Sequence, residues 1–291
     1  MTPRCLFLFV PLLFSSIALA QKSYPPKFEG ATEHIYKEID GVTLKLWEFS
    51  KEKEAGEKRP AIVFFFGGGW KSGSPKQFEP HARELAERGM VALVADYRVS
   101  SRHGTKARDC VADARDAIRF VRKNAEALGV DPERIAAGGG SAGGHIAACL
   151  GVIAKDPQSS VQALALFNPA CVLAPIDGQN PWKEDRAAEM RERMGVDPRE
   201  LSPAHHVSED APPCVIFHGK ADTTVSYVTA EIFAEKMKEA GVPCVLHGYE
   251  GEGHGFFNYG RKSKGGGKSA YEKTLTQLDQ FLVDLGWLTA S

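Results

Sequence analysis

The chain is 291 residues long, 43% hydrophobic and 25% charged, with a formal net charge of −1. That length and apolar share suffice for one large α/β core. The near-neutral balance excludes the basic footprint needed for nucleic acid or an anionic membrane surface, and no internal repeat or low-complexity tract is present.

The N-terminus reads as a leader. Arg4 and the free amine are positive, Cys5 to Leu13 is apolar apart from Pro11, and Ala18-Leu19-Ala20 supplies the small residues a signal peptidase reads. Residues 1–20 are therefore expected to be removed, leaving one domain over 21–291 that starts at Gln21. The apolar run is short for a span, which implies a secreted or periplasmic protein without stable membrane insertion after cleavage. Cys110, Cys149, Cys171, Cys214 and Cys244 then remain. An odd count leaves at least one thiol free or paired between chains, and sequence does not fix the pairing. Cys149, Cys214 and Cys244 sit in apolar segments and read as small buried hydrophobes.

In chain order, Val42 to Phe49 alternates in character and reads as an early antiparallel strand. Ala61 to Phe66, Val91 to Ala95, Ile135 to Gly138, Ala163 to Phe167, Cys214 to Phe217 and Cys244 to Tyr249 read as buried strands. Helical patterns cover Gln77 to Arg88, Arg108 to Leu128, Ala142 to Ala154, Tyr227 to Ala240 and Ser269 to Leu285. In the second of these, Val111, Ala114, Ile118, Val121 and Ala125 share one face, and Gly129 stands where a helix-ending glycine belongs. Lys262 to Lys268 reads as a flexible basic loop. Strands alternating with crossover helices imply a mostly parallel sheet covered on both faces. In such sheets ligands bind beyond the carboxyl ends of the strands, so a catalytic residue is expected in a loop that follows a strand. One interval breaks the rhythm: residues 168–213, with Pro169, Pro175, Pro181, Pro198 and Pro203 and a short helix over Glu184 to Met194, read as a small cap insert.

Gly139-Gly140-Ser141-Ala142-Gly143 matches G-x-S-x-G between a strand and a helical run. Its glycines admit a turn tight enough to project the Ser141 hydroxyl over a helix N-terminus, the arrangement of an activated nucleophile. Gly67-Gly68-Gly69-Trp70 follows the strand ending at Phe66 and leaves backbone N–H groups unobstructed. Those of Gly68 and Gly69, with that of Ala142, are the expected oxyanion donors, and Trp70 is the expected pocket wall. Nine histidines are present, and only His254, between Gly253 and Gly255 after the last strand, suits a mobile general base. His145, His218 and His247 read as packing residues, and adjacent His205 and His206 lack partners for a metal. Asp222, just past the strand ending at Phe217, is the expected orienting acid, which gives the chain order Ser, Asp, His. This chemistry needs neither cofactor nor metal.

The segments Phe66 to Trp70, Asp96-Tyr97-Arg98, Gly139 to His145, His218 to Asp222 and Gly253 to Phe256 resemble the hormone-sensitive-lipase-like esterases. Among these they look closest to the secreted branch with bacterial acetyl-xylan and feruloyl esterases. The resemblance implies an α/β-hydrolase fold and a secreted serine carboxylesterase for short acyl esters, acetyl groups on carbohydrate above all. A feruloyl esterase, an aryl formamidase and a serine peptidase of the same fold are the alternatives. Family members commonly carry a histidine before the three glycines that braces the loop, whereas this chain has Phe66. The long N-terminal cap helices of lipase-like members are also missing, which implies an open, shallow site. The acyl and alcohol preference and the oligomeric state are not legible.

Overall fold

A computed structural model describes residues 24–52, 54, 56–153, 156–179, 187–261 and 268–290. The leader expected over residues 1–20, Gln21, and all of the 262–268 loop but Lys268 lie outside them.

Eight strands form one sheet in the order β1-β2-β4-β3-β5-β6-β7-β8. They are β1 (Thr32–Ile39), β2 (Val42–Phe49), β3 (Arg59–Phe65), β4 (Val91–Ala95), β5 (Val130–Gly140), β6 (Ala163–Phe167), β7 (Cys214–Gly219) and β8 (Cys244–Tyr249). β1 pairs antiparallel with β2, and β2 with β4; every later pairing is parallel. The helices are α1 (Glu79–Glu87), α2 (Ser100–His103), α3 (Ala107–Lys123), α4 (Ala125–Leu128), α5 (Ala142–Val152), α6 (Ala187–Met194), α7 (Tyr227–Glu239) and α8 (Ala270–Asp284). This is the mostly parallel, helix-flanked sheet expected from the alternation of strands and helices.

Strand periodicity divides the core in two. On β3, Ala61, Val63 and Phe65 pack with α3, α5 and α7, whereas Ile62 and Phe64 face the layer that holds α1 and α8. All seven β3 residues are buried, which is why the run carries no polar alternation.

Several elements differ from expectation. β8, read as a buried strand, is the far edge of the sheet, with none of its residues buried and Val245 49% exposed. β1 was not legible because its exposed edge carries mostly polar side chains, and Ile35 is 52% exposed. The helix expected over Arg108 to Leu128 breaks after Lys123. There the Asn124 amide nitrogen donates to the Phe120 carbonyl at 2.7 Å, and the backbone leaves helical geometry (φ −103°, ψ 17°). A short polar side chain bonding its own backbone competes with the helix in this way. Gly129 caps α4 in the left-handed conformation, as read. In the insert, α6 occupies Ala187–Met194, and the start of the expected helix lies outside the described residues. All five described cysteines are free, and Cys244 is only half-buried at the sheet edge.

His81 on α1 is fully buried among Phe64, Phe78, Phe167, Phe257 and Tyr271, and among the described residues neither ring nitrogen has a hydrogen-bond partner. Burial pushes its pKa from 6.5 down to about 3. Between those values the unfolded chain binds a proton that the folded chain refuses, so stability falls as pH drops through 6.5. From pH 7 to pH 5 this one group is expected to remove about 2 kcal/mol. Urea unfolding of wild type and His81→Phe at both pH values should show a shallower loss for the variant. Equal losses would show that His81 does not set the acid sensitivity.

Candidate active site

Four parallel strands deliver the loops that meet at the carboxyl edge: β3 leads to Gly67–Trp70, β5 to Ser141, β7 to Asp222 and β8 to His254. A fifth loop, after β6, begins at Asn168.

Ser141 occupies a strained turn (φ 55°, ψ −118°) between β5 and the first residue of α5. The turn closes because α5 lies against β3. A Cβ on Gly143 would sit 2.0 Å from the Phe65 carbonyl oxygen, so only glycine permits that approach. The Ser141 N–H donates to the Phe167 carbonyl at 2.9 Å, pinning the turn to β6.

His254 Nε2 lies 2.9 Å from Ser141 Oγ, and its Nδ1 lies 2.7 Å from Asp222 Oδ2. A proton on Nδ1 facing the carboxylate leaves the Nε2 lone pair free to accept from the serine hydroxyl. Asp222 Oδ1 accepts the N–H groups of Thr224 and Val225 at 2.8 and 3.0 Å. Burial works to raise the Asp222 carboxyl. Hydrogen bonds from His218 and His254 and from the Val225 N–H outweigh it, so the group is held well below the usual carboxylate range. His218 is fully buried, with Nε2 3.4 Å from Asp222 Oδ2 and 2.9 Å from the Val225 carbonyl. The residue read as packing thus also fixes the acid.

The glycine loop turns its backbone inward through three successive positive φ values: 126° at Gly68, 62° at Gly69 and 59° at Trp70. Among the described residues the N–H groups of Gly68, Gly69 and Ala142 have no acceptor. The Gly67 N–H is already taken by Gln77 Oε1 at 2.6 Å. Phe66 stacks on Tyr97 with ring centroids 4.1 Å apart, and the Tyr97 hydroxyl donates to the Phe66 carbonyl at 2.6 Å. Stacking and this hydrogen bond therefore hold the loop where a histidine would have done so.

Trp70 is 4% exposed, so its face cannot serve as a sugar-stacking platform. Its indole N–H donates to His145 Nδ1 at 3.1 Å, and His145 Nε2–H donates to the Leu201 carbonyl in the insert at 2.7 Å. Burial pushes the His145 pKa down to about 4, against the opposing Leu201 bond, so the ring is a neutral strut at pH 7.

Beside Ser141 is a cavity of about 110 Å³. Trp70, Ala170, Met190 and Val225 give it apolar walls, and Glu189 and Arg193 of α6 pair beside it. The insert therefore reaches the site and narrows it, where an open and shallow site had been expected. Sequence reasoning missed Gln77, Asn168, Asn258 and the α6 residues. Asn168, whose Oδ1 accepts the Gly255 N–H at 3.1 Å, begins a loop after a strand and was open to the topological rule. Gln77 and Asn258 carry no local signal.

The BD-FAE family profile matches residues 48–237. The chain belongs to the BD-FAE family. This BD-FAE chain is 32% identical to the esterase LipC of Mycobacterium tuberculosis, over 76% of the chain and 59% of LipC. It is 31% identical to a probable isoprenylcysteine alpha-carbonyl methylesterase of Oryza sativa, over 67% of the chain and 51% of that protein. It thus spans between half and three fifths of the length of these two relatives. The propionate-bound structure of a thermophilic esterase, Est2, from Thermogutta terrifontis superposes with a TM-score of 0.85 at 47% identity. That match covers 92% of this chain and 99% of the other. The same esterase phosphonylated by sarin gives 0.86 at 47% identity, covering 92% and 100%. The BD-FAE chain therefore has an α/β-hydrolase fold shared with esterases.

Gly68 offers the sharpest test of the loop. A Cβ there would stand 2.2 Å from the Ser72 carbonyl oxygen, at a φ that L-residues rarely adopt. Gly68→Ala should keep the fold by circular dichroism yet lower kcat/KM on an ester by about 100-fold or more, as loss of one oxyanion donor does. Activity within a few-fold of wild type would mean that this backbone is not part of the site.

Proposed function

We propose that this chain is a serine carboxylesterase in which Ser141 attacks an ester carbonyl. His254 takes the serine proton, and ionised Asp222 holds the imidazole tautomer. The observation that carries this reading is the continuous run from Asp222 through His254 to Ser141, at 2.7 and 2.9 Å. Attack places negative charge on the carbonyl oxygen, where the N–H groups of Gly68, Gly69 and Ala142 would receive it. His254 then returns its proton to the leaving alcohol. Water, deprotonated by the same imidazole, releases the acid from the acyl-enzyme. The positive end of α5, whose first residue follows Ser141, favours the developing charge.

A fluorophosphonate should label Ser141 in the wild type and not in Ser141→Ala. That variant should retain only the ~10³–10⁴-fold advantage over water left by binding and the oxyanion hole. Asp222→Asn should fold normally and lose about 10⁴ in kcat, because the amide favours the wrong tautomer of His254. Undiminished turnover in Ser141→Ala would require a different nucleophile.

The substrate side of the proposal is a short acyl group, acetyl foremost, on a carbohydrate or another polar alcohol. An apolar cavity of about 150 Å³ accepts benzene, so one of about 110 Å³ suits chains up to roughly butyryl. That size weighs against a feruloyl group on the acyl side. The related Thermogutta terrifontis esterase is described with propionate and with butyrate bound. The carbohydrate alcohol rests on export, carried by the leader-like residues 1–20, which would place the enzyme among polymers. With p-nitrophenyl esters from acetate to decanoate, kcat/KM should peak between acetate and butyrate, and acetate should be released from acetylated xylan. A peak at octanoate without acetate release, or an exported protein still carrying Met1, would overturn this substrate assignment and leave the triad proposal standing.

A further inference from the structure

Gln77 lies in the 3-10 turn Pro75–Phe78, outside every loop that carries a catalytic group. Its side chain nevertheless touches two of those loops. Its Oε1 accepts the Gly67 N–H at 2.6 Å, and its Nε2 donates to Asn258 Oδ1 at 2.9 Å. Asn258 Nδ2 donates in turn to the Gly255 carbonyl at 2.8 Å, and the Asn258 backbone N–H reaches that carbonyl at 3.2 Å. Gly255 directly follows His254. The run passes close to the nucleophile. A Cβ built on Gly67 would lie 3.5 Å from Gln77 Oε1 and 3.3 Å from Ser141 Cβ.

Each step in this run dictates the next. The Gly67 N–H needs an acceptor, so the Gln77 oxygen must face it and the Gln77 amine must face Asn258. Asn258 then has to present its oxygen to Gln77 and its own amine to the Gly255 carbonyl. The two loops so joined hold the oxyanion donors and the general base, which must act on opposite sides of one tetrahedral centre at the same moment. Displacing one against the other by about 1 Å is enough to cost on the order of 100-fold in rate.

We propose that Gln77 is a positioning residue that, with Asn258, couples the Gly67–Trp70 loop to the His254 loop and so sets the separation of donors and base around Ser141. The inference rests on the esterase reading above. It concerns the chemical step, so its signature is a loss in kcat with substrate binding preserved.

The test uses p-nitrophenyl acetate kinetics on wild type, Gln77→Leu, Gln77→Glu, Asn258→Ala and the double variant Gln77→Leu/Asn258→Ala. Folding is checked by circular dichroism, and fluorophosphonate labelling is followed for each protein. Both Gln77→Leu and Asn258→Ala should lower kcat by about 10- to 100-fold, with KM within about twofold of wild type. Gln77→Glu matches glutamine in size and still accepts from Gly67, but it sets two oxygens face to face at Asn258 and should not restore the rate. The double variant should be little worse than Gln77→Leu, because the two residues act as one unit. Near-wild-type kcat in Gln77→Glu, multiplicative losses in the double variant, or a rise in KM at constant kcat would each overturn the coupling. Should Gln77→Leu not fold, Gln77→Glu and Asn258→Ala decide the matter. Wild type that is not labelled at Ser141 would remove the esterase reading and this inference with it. Labelled variants with unchanged kcat would remove the coupling alone.

Discussion

The carboxyl edge of the sheet depends on one close approach, that of α5 to β3 at Gly143. Without a side chain there, the helix backbone sits directly on the Phe65 carbonyl, and the chain can reverse from β5 into α5 through the single strained residue Ser141. Any substituent would push the helix away, relax the turn and withdraw the hydroxyl from the edge. The strain is held by two backbone hydrogen bonds at 2.9 Å, the Ser141 N–H to Phe167 and the His145 N–H back to the Ser141 carbonyl. Strain of this kind persists only where its surroundings over-determine it. Here those surroundings are the buried core on both sides of β5.

Around that turn, polar groups are disposed so that most have a defined partner and a defined charge. Asp222 is buried yet ionised because its oxygens meet donors from two histidines and two backbone amides. His145 is neutral because burial disfavours its charged form, and both of its ring nitrogens are used within the Trp70–Leu201 strut. The contrast follows from chemistry: a carboxylate can gather donors, while an imidazole clamped between one donor and one acceptor has no use for a second proton. The same strut carries the insert. Through Leu201 it ties the segment after β6 to the glycine loop, so α6 is supported as a wall of the pocket.

Of the thiols, Cys149 meets this strut, with its Sγ 3.4 Å from His145 Nε2. Burial raises Cys110, Cys149, Cys171 and Cys214 far above the ordinary thiol value, leaving them protonated and poor nucleophiles. Cys214 and Cys244 face one another in register across β7 and β8, and both are free.

From the sequence alone the fold was legible wherever burial imposed a pattern. β2, β4 and β6 keep the boundaries their apolar runs mark, and G-x-S-x-G locates the sharp turn because backbone sterics there demand glycine. The chain positions that come together as Ser141, Asp222 and His254 were legible too, since each follows a strand and a parallel sheet brings such loops to one edge. β1 escaped notice because an exposed edge leaves no hydrophobic period, and the break at Asn124 because a side chain capturing its own backbone has no periodic signature. What only the tertiary structure decided are contacts between residues far apart in the chain. The burial of Trp70 against His145, the second histidine beside Asp222, the reach of α6 to the pocket and the amide run from Gly67 to Gly255 through Gln77 and Asn258 are of this kind. Gln77 and Asn258 are 181 residues apart, and a hydrogen bond at that separation depends on packing of the whole domain, which no local pattern of residues encodes.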